Sequence, residues 1–216
     1  MNRIVRLTAA AIAALGLVAA APAGRATFDV GGVKLSLPLP ASYCEPSGPM
    51  TALAQTVAAA DPDNVTDLTL YKCDATPDDL GDYVLIKTPV RVLGMTVDRP
   101  TLLAQIGPEF DKGPPVDNKK LGDDVASSLD RVSGTKAKVA TQMSVRGHDD
   151  VCGYVGGSAQ LSNSSRSVNV AVGGCITAAG GRIVQVFRYT MYRDPSDIDR
   201  MMKDARAIAL TIGPQA

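Results

Sequence analysis

VCGYVGGSAQLSNSSRSVNVAVGGC, residues 151–175, places two of the chain's four cysteines at equal distances from the dipeptide Asn163-Ser164. Pairing residue 162 with residue 165 and continuing outward sets Cys152 opposite Cys175. Directly opposed residues of antiparallel strands have Cα atoms about 4.5 to 5.5 Å apart, which is a distance that a disulfide spans. The stretch therefore predicts a β-hairpin in which Cys152 is bonded to Cys175.

The apolar residues of the hairpin support the same register. One face collects eight aliphatic residues: Val151, Val155, Ala159, Leu161, Val168, Val170, Val172 and Ile176. The opposite face is polar and poor in charge, with Tyr154, Ser158, Gln160, Ser167 and Asn169. Because successive side chains of a strand alternate between faces, this sorting is typical of a half-buried sheet. The glycine pairs 156–157 and 173–174 could host bulges, so a slip of one residue is the alternative register.

The other two cysteines flank a predicted helix. Cys44 precedes it and Cys73 ends the strand that follows, so a bond between them would clamp the helix to the sheet. Two disulfides are typical of exported proteins, and buried free thiols are the alternative. A zinc or redox site would need cysteines as close as C-x-x-C, with histidine nearby for zinc, and the sequence has neither arrangement. We therefore predict structural disulfides and no metal site.

The N-terminus has the pattern of a secretory signal peptide. Arg3 and Arg6 precede an apolar stretch from about Ala9 to Ala21, and small residues follow. The apolar stretch is shorter than the roughly 20 residues that cross a bilayer. We therefore predict a signal peptide over residues 1–26, with cleavage after Ala23 or Ala26, and one α+β domain over residues 27–216 without a membrane span.

Outward from the hairpin, strand and helix patterns alternate along the chain. The predicted strands are residues 28–37, 64–73, 82–88, 135–146 and 183–189, in addition to the hairpin. Helices are predicted from Ser47 to Asp61, near residues 100–106, before Gly134, and after Asp194, with a proline-rich loop at residues 107–116. Since tight turns join neighbouring strands, we expect a largely antiparallel sheet meander packed with helices and closed by a C-terminal amphipathic helix.

Two segments carry a resemblance to a known family. The proline-bounded LPLPASYC at residues 37–44 and the strand-to-helix segment VQVFRYTMYRDPSDIDRMMKDARAIAL at residues 184–210, together with the meander, resemble the PsbP-like fold family. That family includes photosystem accessory proteins and relatives that bind a small GTPase. The four cysteines depart from the family pattern. The resemblance implies a role in binding without catalysis, and it implies no site residue.

Charge and aromatic content argue against nucleic-acid binding. Lys and Arg together number 22, Asp and Glu together also number 22, and the charges do not form blocks. Three Phe, six Tyr and no Trp leave few platforms for base stacking. The glycine pairs lack the strand-to-helix setting of a phosphate-binding loop, and no other cofactor motif occurs. We therefore predict no cofactor.

The segment Gly147-His148-Asp149-Asp150 holds the only histidine. It suggests either a polar turn before the hairpin or a small hydrolase that uses His148 with Asp149 or Asp150. Adjacent residues of a turn rarely converge on one ion or substrate, and no G-x-S-x-G motif supplies a nucleophile. The turn is therefore the preferred interpretation, and no catalytic residue is assigned.

Together these patterns predict a periplasmic or secreted accessory protein that binds an envelope protein or a small ligand. The candidate binding site is the polar hairpin face of Tyr154, Ser158, Gln160, Ser167 and Asn169, provided that no helix covers it. An ordinary solvated sheet face is the alternative.

Overall fold

The computed structural model describes residues 24–77, 81–134, 136–163 and 166–215 of the 216-residue chain. The predicted signal peptide lies outside the described residues as far as position 23. Ser164 and Ser165, at the predicted hairpin tip, lie outside them as well.

The described residues form ten strands and four α-helices. The strands are β1 (Arg25–Val30), β2 (Val33–Pro38), β3 (Tyr43–Cys44), β4 (Asn64–Lys72), β5 (Tyr83–Pro89), β6 (Lys138–His148), β7 (Gly153–Ser162), β8 (Ser167–Ala179), β9 (Arg182–Met191) and β10 (Gly213–Pro214). The helices are α1 (Pro49–Ala59), α2 (Arg99–Lys112), α3 (Asn118–Ser133) and α4 (Ser196–Thr211). A short 3₁₀ turn covers Val90–Val92.

The strands form two antiparallel sheets. The larger sheet has the order β3-β4-β5-β9-β8-β7-β6, and the smaller has the order β1-β2-β10. Strands β6 to β9 follow one another as a meander, and β9 then pairs with β5 from the first half of the chain. The predicted α+β class with a largely antiparallel meander and a closing C-terminal helix is confirmed.

Helices cover both faces of the large sheet. On one face α4 approaches so closely that a Cβ on Gly173 would lie 2.3 Å from the backbone nitrogen of Met202. The same face packs on the small sheet, and residues such as Leu35, Ile86 and Val186 form the main core there. On the other face α2 contacts the hairpin where Phe110 and Ile106 meet Gly153. The hairpin therefore lies between two helical layers.

The predicted first strand is two strands. Gly31 and Gly32 have φ of 56° and 83° and form a two-residue turn that pairs Val30 with Val33. Positive φ at both turn positions suits the right-handed twist of a hairpin, and glycine adopts it without strain. The prediction of one strand over residues 28–37 was wrong because the apolar alternation continues on both sides of this turn.

Three helix boundaries also differ from the predictions. Helix α2 extends to Lys112 through Pro108, so the predicted loop at residues 107–116 is mostly helical. Helix α1 has Gly48 at its N-cap rather than Ser47, and no side chain caps it. Helix α4 begins at Ser196, where the Asp194 carboxylate accepts a hydrogen bond of 2.8 Å from the Ser196 backbone N–H.

Both predicted disulfides are present. Cys44 is bonded to Cys73 and Cys152 to Cys175, with Cα–Cα distances of 4.9 and 5.0 Å. The hairpin register differs from the prediction by two residues: Tyr154, not Cys152, lies opposite Cys175. Ser162 pairs with Ser167, so the loop between the strands has four residues rather than two.

Candidate binding site on the hairpin

The predicted polar residues lie on one face of the hairpin. Gln160 pairs with Asn169, and the Gln160 amide donates to the Ser167 hydroxyl at 3.3 Å. Gln160, Ser167 and Asn169 are exposed, and Ser158 is partly exposed. A two-residue change of register keeps every side chain on its original face, so the predicted set stays together.

Helix α4 covers the part of this face that lies near the disulfide. Ile198 and Met202 of α4 meet Gly156, and the backbone of Met201 and Met202 meets Gly173. A Cβ on Gly173 would collide with the helix backbone, whereas a Cβ on Gly156 would press only on the side chains of Ile198 and Met202. Gln160, Ser167 and Asn169, in the outer part of the face, are exposed, and no helix among the described residues covers them.

Tyr154 belongs to the covered part. Its hydroxyl donates to Asp149 at 2.7 Å, and Arg206 of α4 donates to the same carboxylate oxygen at 2.7 Å. Burial, followed by the Asp149 hydrogen bond, raises the pKa of Tyr154 well above its usual value. The phenol therefore stays protonated and ties the hairpin to α4.

Asp149 organises the turn before β7. One of its oxygens accepts the backbone N–H groups of Val151 and Cys152 at 2.8 Å, and the other accepts Tyr154 and Arg206. Burial alone would raise the pKa of Asp149, but these four hydrogen bonds outweigh it and lower the pKa to about 2. This carboxylate is ionised at neutral pH and fully engaged in structure.

His148 does not meet the carboxylates that a hydrolase would require. Its Nδ1 lies 2.8 Å from Asp111 of α2, and its ring packs on Gly107. Asp149 and Asp150 instead both contact Arg206. The segment thus forms a turn fastened to two helices, and its histidine and neighbouring carboxylates point to different partners.

A cluster of charged and aromatic side chains that the sequence patterns do not indicate lies at the opposite end of the large sheet. Asp82 accepts from the Tyr43 hydroxyl at 2.5 Å and pairs with buried Arg188 at 2.9 Å. Arg188 and Lys72 lie 4.8 and 4.1 Å from the centre of the Tyr43 ring. Burial and the Asp82 hydrogen bond raise the pKa of Tyr43. These residues come from separate segments of the chain, so no local sequence pattern predicts that they lie together.

A cavity of about 200 Å³ lies beside the Cys44–Cys73 disulfide. The turns around Pro46 and Ala75 form its walls, and Tyr71 lines it. The Tyr71 hydroxyl is buried, and no hydrogen-bond partner for it occurs among the residues that the structure describes. Burial raises the pKa of Tyr71 to about 12.

Across the described residues, no group of three or more His, Cys, Asp or Glu side chains is arranged to hold a metal ion. None of the four helices between Gly24 and Gln215 combines the length and the apolar run that a membrane crossing requires.

The glycine pair at 180–181 forms a two-residue turn between β8 and β9, with φ of 56° and 78°.

Comparison with known proteins gives structural neighbours of low identity. The solution structure of cyanobacterial PsbP from Synechocystis sp. PCC 6803 aligns with a TM-score of 0.42 at 10% identity, covering 94% of this chain and 99% of that one. The Saccharomyces cerevisiae Ran-binding protein Mog1p aligns with a TM-score of 0.29 at 12% identity, covering 87% of this chain and 89% of that one. No family model and no curated protein sequence matches the chain.

Proposed function

We propose that the protein is a periplasmic or secreted accessory protein that binds another envelope protein or a small ligand through the uncovered end of the β7–β8 hairpin. The observation that carries this proposal is the arrangement of Gln160, Ser167 and Asn169: they are exposed together on one face of the hairpin, where no helix of the described part of the chain covers them. Amides and hydroxyls both donate and accept hydrogen bonds, which suits recognition of a polar surface.

The support of the hairpin adds to this proposal. The Cys152–Cys175 disulfide joins the two sides of the hairpin, and the Tyr154–Asp149–Arg206 contacts fix its inner half to α4. A binding surface held in one conformation loses little conformational entropy when a partner docks. The two disulfides fit an oxidising compartment outside the cytoplasm.

The test places a photocrosslinking amino acid at Asn169 in the exported protein. The matched control carries the same group at Ala52, which is exposed on α1. We expect a reproducible crosslinked product from position 169 and none from position 52, and Gln160→Arg should reduce the product. The same products from both positions, or none from position 169, would contradict the proposal.

His148→Ala separates this function from the hydrolase alternative. Because the ring contacts Asp111 and Gly107 and lies apart from the hairpin face, the variant should keep its crosslinking at position 169. Turnover of an ester or peptide library that disappears in His148→Ala would instead favour the hydrolase.

A further inference from the structure

The outer edge of β1 has a row of free backbone groups. Among the described strands β1 pairs only with β2, and Gly24 C=O accepts from Leu39 N–H at 2.7 Å. Hydrogen-bonded pairs alternate along an antiparallel ladder, so Ala26 and Phe28 direct their N–H and C=O groups toward β2. The corresponding groups of Arg25, Thr27 and Asp29 point away from β2.

The hydrogen bonds on the other side of β2 independently show which residues face β1. Lys34 C=O accepts from Gln215 N–H, so the backbone groups of Lys34 face β10. Its neighbours Val33 and Leu35 must therefore face β1, where they pair with Val30 and Phe28. The hydrogen bonds at Gly24 and at Lys34 therefore agree on which residues of β1 and β2 direct their backbone groups toward each other.

Nothing among the described residues occupies this edge. The side chains of Arg25, Thr27 and Asp29 are exposed, and no backbone hydrogen bond in the described part of the chain uses their outward groups. Arg25 donates to the Ser36 hydroxyl at 2.7 Å and Asp29 accepts from Gly32 N–H at 2.8 Å, so both charged side chains are already held on the exposed side of the sheet. Ala26 and Phe28, in contrast, are buried in the core at 1% and 7% exposure. β1 is therefore anchored in the core by alternate side chains, and its outward backbone groups can accept an added strand, which is a common mode of association.

The charges on this edge are complementary to themselves. If a second β1 adds antiparallel about a two-fold axis at Thr27, Arg25 of each copy lies opposite Asp29 of the other. All the outward N–H and C=O groups of the three residues then pair across the axis. Opposite charges on directly facing strand residues stabilise the pairing, whereas like charges destabilise it.

We propose that this edge is a self-association surface through which two copies of the chain join their small sheets by antiparallel β1–β1 pairing. The interface is isologous, as a two-fold dimer requires. Since it consists mainly of one strand pair, the dimer should be reversible and depend on concentration.

The proposal requires that Arg25 remain in the exported protein. Cleavage of the signal peptide after Ala23 leaves β1 whole, whereas cleavage after Ala26 removes its first two residues. We therefore expect the intact mass of the exported protein to correspond to a chain that begins at Gly24. A mature chain that begins at Thr27 lacks Arg25 and would overturn the proposal.

Sedimentation velocity of the exported wild-type protein, from low micromolar to near-millimolar concentration, should show a monomer–dimer equilibrium. Thr27→Pro removes an outward N–H and leaves the β1–β2 bonds intact, so it should weaken the dimer about tenfold or more. Lys203→Asp, at an exposed position of α4, is the charge-change control and should not alter association.

A charge exchange tests the register of the pairing. Arg25→Asp sets the introduced carboxylate opposite Asp29 of the second copy and should abolish dimerisation, whereas Arg25→Asp with Asp29→Arg restores opposite charges and should recover it. A wild-type monomer at all concentrations refutes the proposal. So does a dimer that ignores Thr27→Pro, or one that the double exchange fails to recover.

Discussion

Asp67 lies at a bulge in β4 between Thr66 and Leu68. Its Oδ2 accepts from Thr88 at 2.7 Å, while its Oδ1 is buried and has no partner among the described residues. Burial and the charge of Asp29 raise the pKa of Asp67 to about 6, against the opposing effect of the Thr88 hydrogen bond. This carboxylate is therefore a cost to the folded state when it is ionised.

Asp67→Asn should remove that cost. Because the folded pKa of about 6 lies above the unfolded value of about 3.9, the folded state binds more protons between these limits, and wild-type stability falls as pH rises from about 4 to 6. The free energy of unfolding of the variant, relative to wild type, should thus increase over this window and stay constant above it. Urea unfolding from pH 4 to pH 7 measures this, with exposed Asp74→Asn as the control. An equal difference between variant and wild type at pH 4 and pH 7 would contradict it.

At this scale the sequence shows which residues are polar but not their partners. The local sequence GHDD predicts the turn at Asp149 correctly. It cannot show that Arg206, on the last helix, binds Asp149, or that Asp111 binds His148, because those contacts depend on helix positions. The cluster of Tyr43, Asp82 and Arg188 is hidden for the same reason.

At the scale of the elements, the close contact between β8 and α4 requires glycine at position 173. At Gly173 a Cβ would lie 2.3 Å from the nitrogen of Met202 and 2.4 Å from the carbonyl carbon of Met201, and both are backbone atoms. Backbone of a packed helix cannot move aside as a flexible side chain does. The glycine therefore sets the distance between the sheet and the helix.

Gly173→Ala should lower the free energy of unfolding by about 1 to 3 kcal/mol because it forces α4 outward. Gly94→Ala is the matched control, since no atom lies within 4 Å of the position its Cβ would take. That variant should change stability by less than about 0.5 kcal/mol. Chemical unfolding of both variants gives the comparison, and equal losses would show that the helix does not pack as described.

The register of the β7–β8 hairpin shows how far a sequence pattern reaches. Side chains alternate with a period of two, so a two-residue shift leaves every apolar residue on its original face. The cysteines did not resolve this, because Cys152 and Cys175 are bonded although they are not directly opposed. Asn163 N–H donates to Arg166 C=O in the four-residue loop, which the apolar pattern could not indicate.

For the molecule as a whole, the two disulfides differ in burial and in the elements that they join. Cys152 and Cys175 are fully buried in the main core, whereas Cys73 is exposed and β3 has only two residues. The first bond joins strands that are already paired side by side. The second fastens a short edge strand and the start of α1 to β4.

Cys152→Ala with Cys175→Ala should lower the free energy of unfolding by about 1 to 3 kcal/mol without changing the fold, because the closed loop is short and the strands remain paired. Cys44→Ala with Cys73→Ala serves as the comparison and should speed amide hydrogen exchange mainly in β3 and α1. Denaturant unfolding and exchange by mass spectrometry measure the two effects. Exchange that rises throughout the sheet in the second variant would contradict this assignment.

The strand order of the large sheet was only partly predictable. Consecutive strands with tight turns indicated the β6–β9 meander correctly. The pairing of β5 with β9, in which Leu85 lies opposite Phe187, joins distant parts of the chain and leaves no local signature. The covering of the polar face by α4 was left open for the same reason, since amphipathicity shows that a helix is buried but not which surface it covers.

The pairing of β5 with β9 also determines when the large sheet can form during synthesis of the chain. A chain that emerges from its N-terminus cannot complete the large sheet until Arg182–Met191 is available, because β9 lies between the first and second halves of the sheet. Pairings between distant segments slow folding, since the intervening loop must close before they form. The joined seven-stranded sheet should therefore form only after most of the chain has been synthesised.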